Sequence, residues 1–177
     1  MSTDLRMESA EVYYRMGSIR TVTADDIAFL KVAALKTPRH RCRICLHDDA
    51  QDSLHEMVII HHRDAYVRPH AHTTRGESLL VLQGRATCVF FDEDGIVTQR
   101  IPLAAPGDGD PSRPYIYRTG PGRFHSLLIE SEWLIFHEVT AGPFSRDDTL
   151  FPAWAPDGRD EALGVAWLRT QIATQVV

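Results

Sequence analysis

Short runs rich in β-branched and aromatic residues follow one another along the central part of the chain. Runs of this kind, separated by clusters of Gly, Pro and Asp, predict β-strands. Residues 92–95 and 120–122 have the composition of tight turns between such strands. So many short strands indicate an all-β barrel or sandwich. We expect strands within RCRICLH (41–47), EMVIIHH (56–62), YVRPHAH (66–72), SLLVLQG (78–84), ATCVFFD (86–92), IVTQRIPL (96–103), YIYRTG (115–120), HSLLIE (125–130) and WLIFHEV (133–139).

Helical periodicity is limited to two segments near the ends of the chain. In residues 23 to about 36, apolar residues recur with the period of a helix, and Thr23 and Asp26 have the spacing of a capping box. This pattern predicts one short amphipathic helix, which Pro38 would end. Residues 160–175 predict a final helix. Its inward side chains are expected to be those of Leu163, Trp167 and Ile172.

The chain of 177 residues has the size of a single domain. We expect three parts: an N-terminal extension with one short helix (residues 1–37), the β-barrel (residues 38–144) and a C-terminal extension with a helix (residues 145–177). The segment AAPGDGDPSRP, residues 104–114, has no apolar period and predicts an exposed loop within the barrel.

Charge and hydropathy argue against several classes of partner. The formal net charge is −5 with His neutral, so the chain has no general positive field that would attract DNA or RNA. No apolar run has the length of a signal peptide or of a membrane helix. We therefore expect a cytoplasmic protein that binds neither nucleic acids nor membranes.

Three cysteines are too few for a disulfide framework and agree with a reducing compartment. Cys42 and Cys45 form a C-x-x-C pair, a spacing that elsewhere binds zinc or performs redox chemistry. Here the pair lies in a predicted strand, in which residues three apart point to opposite faces. The sequence has no second C-x-x-C pair to complete a zinc site. We expect both thiols to stay free and separate.

Four residues have the types and spacing of a metal site. His70 and His72 are two residues apart in a predicted strand, so both imidazoles point to one face. Residues 73–76 can turn the chain so that the Glu77 carboxylate returns beside them. His125 follows a tight turn much later, on a strand that could face the pair across a barrel. Three neutral nitrogens and one carboxylate suit one divalent metal ion, such as Fe, Mn, Ni or Zn.

The spacing H-x-H, four residues, E, six residues, G in residues 70–84 resembles the first motif of the cupin superfamily, and GRFH at 122–125 resembles the core of the second. A closer resemblance runs through RCRICLH, YVRPHAH, FFDEDG, RFH and HEVTAGPF to the WbuC-type cupin fold metalloproteins, which are associated with surface-polysaccharide gene sets. This resemblance implies an all-β cupin double-stranded β-helix (jelly-roll barrel) with short N- and C-terminal helices and a bound metal. It leaves the reaction and the substrate open.

Four further residues are candidates for ligand binding. Arg68 and Tyr66 share the strand parity of the two histidines and should therefore face the same cavity. An arginine beside a metal can hold an anion through two hydrogen bonds, and a solvated surface charge is the alternative. Arg75 lies in the turn before the metal-site glutamate, and Glu138 lies on the last predicted strand, where it would line the cavity or its rim.

Arg41, Arg43 and His47 share one face of the first barrel strand, whose other face is apolar. The apolar face should pack into the core, which leaves the basic face for solvent, for a subunit contact or for the mouth of the site. The pair His61 and His62 is interpreted as structural. We expect a homodimer built partly from residues 41–47, because cupins often pair this way and an open strand edge needs protection.

Three classes of function fit these features. The first is an enzyme, a metal-dependent isomerase, epimerase or dioxygenase, in which substrate occupies open coordination positions. The second is a non-catalytic, metal-dependent module that binds an anionic sugar or its nucleotide conjugate. The third is a protein whose metal only braces the barrel. Fold alone does not choose among them, but in the first two we expect a small anionic or polyhydroxylated ligand at the metal.

Overall fold

The structure, a computed structural model, describes residues 4–174 of the chain. Strands make up most of the secondary structure, as the pattern of short apolar runs predicts. They are β1 (Leu5–Ser9), β2 (Val12–Arg15), β3 (Arg41–Cys45), β4 (Leu54–His62), β5 (Ala71–His72), β6 (Glu77–Gln83), β7 (Arg85–Phe91), β8 (Val97–Ala104), β9 (Ile116–Thr119), β10 (Phe124–Ile129), β11 (Trp133–Ala141) and β12 (Thr149–Leu150).

Two sheets enclose the main core. Seven strands form the large sheet in the order β1-β2-β3-β4-β11-β6-β9, and β10, β7 and β8 form the small sheet. Leu79 and Phe136 of the large sheet pack in one cluster with Phe90 and Leu127 of the small sheet. β5 and β12 form a separate two-stranded ribbon. No ladder between strands joins the large and small sheets over residues 4–174, so the barrel is open at its sides.

The N-terminal helix α1 (Ala24–Ala34) covers the outer face of the large sheet. Its predicted capping box is confirmed, because Thr23 Oγ1 accepts from the Asp26 N–H (3.3 Å) while Asp26 Oδ2 accepts from the Thr23 N–H (2.8 Å). Leu30 is fully buried and packs in one cluster with Ile44 of β3. The helix therefore seals the face of the sheet that lies opposite the main core.

The C-terminal helix α2 (Glu161–Thr174) confirms the expected final helix, although residue 175 of the prediction lies outside the described residues. One expected inward side chain is wrong, because Leu163 is 60% exposed. Trp167 and Ile172 are partly buried against an aromatic cluster. The buried positions are instead Gly164, Val165 and Leu168. The helix is rotated this way because Gly164 lies against the ring of Tyr66, where a side chain would not fit.

Two features of the strand pattern differ from expectation. The N-terminal hairpin β1–β2 and the short β12 have no counterpart in the predicted runs. β1 is short and mostly exposed, and its only apolar residues are Leu5 and Met7. YVRPHAH is strand only at Ala71–His72. The predicted turns are confirmed, since residues 92–95 join β7 to β8 and residues 120–122 join β9 to β10. The division of the chain into three parts stays a prediction.

The strand proposed for subunit contact is not at an edge. β3 pairs with β2 on one side and with β4 on the other, so the open edge expected at residues 41–47 is absent from the described structure. The homodimer stays a prediction without that reason, and a monomer in light scattering at micromolar concentration would contradict it. No helix in residues 4–174 is long and apolar enough to cross a membrane.

Candidate metal centre

The two halves of the predicted metal site meet through the backbone. His70 and His125 form an isolated antiparallel bridge, in which the His70 N–H donates to His125 O (3.1 Å) and the His125 N–H donates to His70 O (2.9 Å). Their rings lie 4.5 Å apart between centroids. The segment before β5 and the start of β10, remote in sequence, are thus held side by side.

The ligand atoms of three residues are close enough to share one ion. Potential ligand atoms of His70, Glu77 and His125 all lie within 4.8 Å of one another. Glu77 Oε1 is 2.9 Å from His125 Nε2, and Glu77 Oε2 is 3.4 Å from His72 Nε2. His72 lies outside the tight trio, but its ring is 5.2 Å from that of His70. The structure therefore brings all four predicted residues together around the Glu77 carboxylate.

The hydrogen bonds around the imidazoles fit metal binding. Nδ1 of His70 donates to Arg68 O (2.9 Å), and Nδ1 of His125 donates to Arg123 O (2.8 Å). A carbonyl can only accept, so each Nδ1 carries the hydrogen and each Nε2 lone pair faces the cluster. Although His125 Nε2 lies close to the Glu77 carboxylate, its direction does not make a hydrogen bond, and this buried atom is left unsatisfied. A His/Glu/His group with these tautomers could hold a metal.

Burial and mutual charge set the pKa values in the cluster. Burial, with the charge of His125 as a second cause, lowers the pKa of His70 to about 4. Burial also opposes the charged form of His125, but the adjacent Glu77 carboxylate outweighs it and raises the pKa. For Glu77, burial is in turn outweighed by His125 and His72, which hold its pKa well below the usual range. The site thus contains an ionised carboxylate and a neutral His70 imidazole, as metal ligation requires, whereas His125 binds an ion only after it has released the proton that Glu77 favours.

Asp148, which no sequence pattern singled out, holds the turn that leads to Glu77. Its Oδ1 accepts hydrogen bonds from the Thr73 hydroxyl, from the Thr74 N–H (3.0 Å) and from the Thr74 hydroxyl (2.7 Å). Its Oδ2 forms an ion pair with Arg75 Nε at 3.1 Å. Burial opposes ionisation, but these contacts outweigh it and lower the pKa of Asp148 to about 2. The partners lie far apart in the sequence, so local pattern could not reveal the contact.

Gly76 allows the turn to approach β9. A Cβ at this position would lie 2.5 Å from the backbone oxygen of Thr119, a distance that real side chains do not adopt. Thr119 pairs with Glu77 in the β6–β9 ladder. The glycine before the glutamate therefore lets β6 begin at the residue whose carboxylate enters the cluster.

The cluster opens into a cavity of about 720 Å³ between the inner face of the large sheet and the C-terminal segment. This volume is in the range of small-molecule sites. All four metal-site residues line it, and so do Phe144, Arg146, Thr149 and Phe151 of the segment that follows β11. The C-terminal extension is thus one wall of the site.

All four residues expected to bind a ligand line this cavity, in different ways. Arg68 lies with its guanidinium 4.7 Å from the centre of the Phe151 ring and donates to Pro152 O at 3.4 Å. Its Nε is buried and has no hydrogen-bond partner. Tyr66 is 2% exposed, because its ring packs against α2 and its hydroxyl donates to Pro156 O (3.3 Å). Much of Tyr66 is therefore used for packing.

Arg75 and Glu138 occupy the wall nearer to Glu77. Arg75 is buried, paired with Asp148, and lies 5.6 Å from the centre of the Phe144 ring. Glu138 lies on β11, between Met57 of β4 and Leu79 of β6. Burial, with the charge of Glu77 as a second cause, raises the pKa of Glu138 to about 8. A neutral carboxyl group is thus available in the cavity near neutral pH.

The basic face of β3 also reaches the cavity. Arg41, Arg43 and His47 line it, so of the three locations left open for this face the structure selects the site. His61 of β4, interpreted from the sequence as structural, lines the same wall. The apolar face of β3 packs against α1 on the outer side of the sheet, so the expectation that it would face the barrel interior is wrong. Their shared strand parity predicted that Arg41, Arg43 and His47 lie on one face of β3. Because they are far from the metal-site residues in sequence, the sequence did not show that they line the same cavity.

Comparison with protein-family models gives a partial match to a family of undefined role. A family model described as a domain of unknown function (DUF6016) matches residues 22–103, a little under half of the chain. The match contains His70, His72 and Glu77 and ends before His125. A search of curated proteins returned no match to this sequence.

Solved structures with a similar fold include CapF, described in a crystal structure with the inhibitor 3-isopropenyl-tropolone. CapF is 15% identical, has a TM-score of 0.51 and aligns with 62% of this chain, which spans only 31% of CapF. A second structure describes CapF as a capsular polysaccharide assembling protein from Staphylococcus aureus, with 16% identity, a TM-score of 0.49, and coverage of 62% of this chain and 34% of CapF.

Two other similar structures are described by their fold. An uncharacterized protein with a double-stranded β-helix domain from Klebsiella pneumoniae is 22% identical, has a TM-score of 0.45 and covers 63% of this chain and 84% of its own. The Cnp3 cupin domain of Schizosaccharomyces pombe is 13% identical, with a TM-score of 0.44 and coverage of 57% and 64%. The expected all-β jelly-roll barrel with short N- and C-terminal helices is confirmed as the fold of this chain, and CapF, with a TM-score of 0.51, has a similar fold.

Proposed function

We propose that this protein binds a small anionic or polyhydroxylated molecule in its cavity, at one divalent metal ion held by His70, His72, Glu77 and His125. The observation that carries the proposal is that this cluster opens into a cavity of about 720 Å³ which arginines also line. A metal that only braced a barrel would need no such space beside it.

The donor set favours an anionic oxygen as the ligand. Three neutral imidazoles and one carboxylate leave a divalent ion with a residual charge of about +1. When bound, an Fe, Mn, Ni or Zn ion would supply a Lewis acid with open coordination positions for oxygen donors. The surrounding protein excludes water from the His125 and Glu77 side of the cluster, because both residues are buried.

Arg68 is the residue that we propose holds the negative group of the ligand. It has no carboxylate within ion-pair distance in the described part of the chain, and its buried Nε is unsatisfied. The Phe151 ring beneath the guanidinium fixes its plane. A planar, always protonated group in a fixed orientation can bind a carboxylate or phosphate through two hydrogen bonds.

Glu138 favours catalysis as a second candidate function. A partly buried carboxyl group that faces the ligand cavity, with a pKa raised to about 8, is suited to general acid–base chemistry such as isomerisation or epimerisation. In that case a Glu138→Gln variant would still bind the ligand but would not turn it over. Metal-dependent oxygen uptake with a bound compound would instead identify a dioxygenase.

A sugar acid or nucleotide sugar in cytoplasmic surface-polysaccharide metabolism is the first candidate ligand. This step rests on the sequence resemblance to WbuC-type cupins. CapF, which has a similar fold, is itself described as a capsular polysaccharide assembling protein. Since likeness of fold alone does not transfer a function, the ligand must be identified by binding.

Calorimetric titration of a panel of sugar acids and nucleotide sugars tests the proposal. The panel is added to metal-loaded protein, to metal-free protein and to an Arg68→Ala variant, with Arg63→Ala as the matched control because Arg63 is exposed. We expect at least one compound to bind the loaded protein at least about tenfold more tightly than the metal-free and Arg68→Ala proteins. Equal binding to all of them would overturn both the metal and Arg68 as determinants of recognition.

A further inference from the structure

A second group of basic side chains lies in the cavity, on strands remote from the start of β6. Arg41 and Arg43 are on β3, and His61 of β4 pairs with Arg41 in the ladder between these strands. All three side chains line the same cavity as the metal cluster. β3, β4, β11 and β6 are consecutive strands, so Arg41 and Arg43 lie three strand spacings from Glu77, ~14 Å across the sheet, and His61 lies two spacings from it.

Two polar atoms in this group are buried without a partner. Arg43 Nε and His61 Nδ1 have no hydrogen bond within residues 4–174. Folded proteins pair nearly all buried polar groups, so such atoms in a cavity wall mark a place that a ligand can satisfy. Burial also keeps the pKa of His61 well below its usual value, so that this imidazole is a neutral donor and acceptor.

No nearby carboxylate in the described part of the chain forms an ion pair that would neutralise the charge of Arg43. Glu11 is bound by Arg39 through two hydrogen bonds, one of them 2.9 Å between Nε and Oε1, and lies 3.7 Å from Arg41 Nε. Arg43 has no carboxylate within 4.0 Å among the described residues.

Two more acidic residues, Glu161 and Asp157, also line the cavity. Glu161 accepts a hydrogen bond from the Tyr66 N–H at 2.6 Å. Asp157 forms an ion pair with Arg159 at 2.5 Å. Glu138, on β11, is largely neutral because burial raises its pKa to about 8. The charge of Glu161 acts on Arg41, but the three arginines Arg39, Arg41 and Arg43 outnumber the carboxylates Glu11 and Glu161, so the local field is positive.

We propose that Arg41, Arg43 and His61 form a second anion subsite, which holds a phosphoryl group of the same ligand whose other end reaches the metal cluster. A phosphoryl group has up to two negative charges and three acceptor oxygens, which match two guanidinium groups and one imidazole donor. The inference rests on the proposed function for the shared cavity. It narrows the ligand to an elongated, phosphorylated polyhydroxylated molecule, because a single sugar ring does not span three strands.

Titration of inorganic phosphate into chelator-treated, full-length protein tests the subsite independently of the metal. We expect saturable binding to the wild type, weakened at least about tenfold in Arg43→Gln and in Arg41→Gln. Arg118→Gln is the matched control, since Arg118 is exposed on β9 outside the cavity, and it should bind as the wild type does. Circular dichroism establishes that each variant is folded. Arg41, which is partly exposed, provides the test if Arg43→Gln does not fold.

Two further measurements are needed. The first distinguishes an organic phosphate from free phosphate as the ligand, and the second distinguishes failure of the subsite from failure of the proposed function. A nucleoside diphosphate that binds more tightly than inorganic phosphate supports an organic phosphate, and equal or weaker binding supports free phosphate, at the same subsite. Arg68→Ala and His72→Ala should keep phosphate binding, because neither residue belongs to the subsite. This result would support the subsite even if no ligand that binds at the metal were found. Absence of saturable phosphate binding, or equal affinity in the wild type and both arginine variants, would overturn the subsite.

Discussion

His70 and His125 exchange both of their backbone hydrogen bonds across an antiparallel bridge, at 3.1 and 2.9 Å, and this places their imidazoles side by side. Because the contact is made by the backbone, it does not depend on the side chains that would bind the metal. Replacing either imidazole should therefore remove a ligand without separating the two segments. The site can be dissected by mutation without loss of the fold.

Asp148 should stabilise the turn that leads to Glu77. Asp148→Asn removes the charge that pairs with Arg75 and weakens the hydrogen bonds to Thr73 and Thr74. We expect the free energy of unfolding to fall by about 1–3 kcal/mol, as when a buried hydrogen-bonded charge loses its partner. Denaturant unfolding measures this change. Asp147→Asn, at the exposed neighbouring position, is the control and should be close to neutral.

The same carboxylate predicts a dependence of stability on pH. The pKa of Asp148 is lowered to about 2 in the folded protein, from 3.8 in the unfolded chain. Its stabilising contribution is thus fully present above about pH 4 and is lost as the pH falls towards 2. The difference in stability between the wild type and Asp148→Asn should shrink over that range. A constant difference from pH 6 to pH 2 would show that the carboxylate charge has no role.

The sequence predicted the elements that depend on local pattern. The strands from β3 to β11 and the capping box at Thr23 follow from alternation, turn residues and cap spacing, which act over a few neighbouring residues. The four metal-site residues could be found because H-x-H and the later histidine are typical of one fold. Within that fold, the bridge between His70 and His125 explains why residues so far apart in sequence belong to one cluster.

Contacts that depend on tertiary placement could not be predicted. Asp148, in the C-terminal segment, accepts a hydrogen bond from Thr73, and no local sequence pattern predicts a contact between residues so far apart in sequence. The inward face of α2 was misassigned because the close approach of Gly164 to Tyr66, and not the apolar period, sets the rotation of the helix. The strands β1 and β2 were missed because they are short and β1 is mostly exposed, and the pairing of β2 with β3 places β3 away from the edge.

Gly164→Ala should destabilise the protein, against the usual trend. In a helix interior, replacing Gly by Ala typically stabilises by up to about 1 kcal/mol. Here the new Cβ would lie 2.3 Å from ring atoms of Tyr66, so Tyr66 or α2 must shift. We expect a net loss of about 1–3 kcal/mol in thermal or denaturant unfolding. Ala166→Gly on the exposed face of α2 tests the ordinary helix propensity, and a stabilising Gly164→Ala would refute the packing described for Tyr66.

The thiols of Cys42, Cys45 and Cys88 should be unreactive in the native protein. All three are buried and free. Burial raises the pKa of Cys42 and that of Cys88 to about 12, so almost no reactive thiolate is present near neutral pH. Alkylation followed by mass mapping should label them only after unfolding. An intramolecular disulfide between Cys42 and Cys45 under native conditions would contradict their placement on opposite faces of β3.

The content of divalent metal per chain, measured by mass spectrometry of the purified protein, tests the metal site most directly. We predict about one ion per chain in the wild type and loss of most of it in His72→Ala and in His125→Ala, since each removes one of four ligands. His137→Ala is the control, because His137 lies on β11 outside the cavity, and it should retain the ion. Undiminished occupancy in His72→Ala and His125→Ala would contradict the assignment of these residues as ligands.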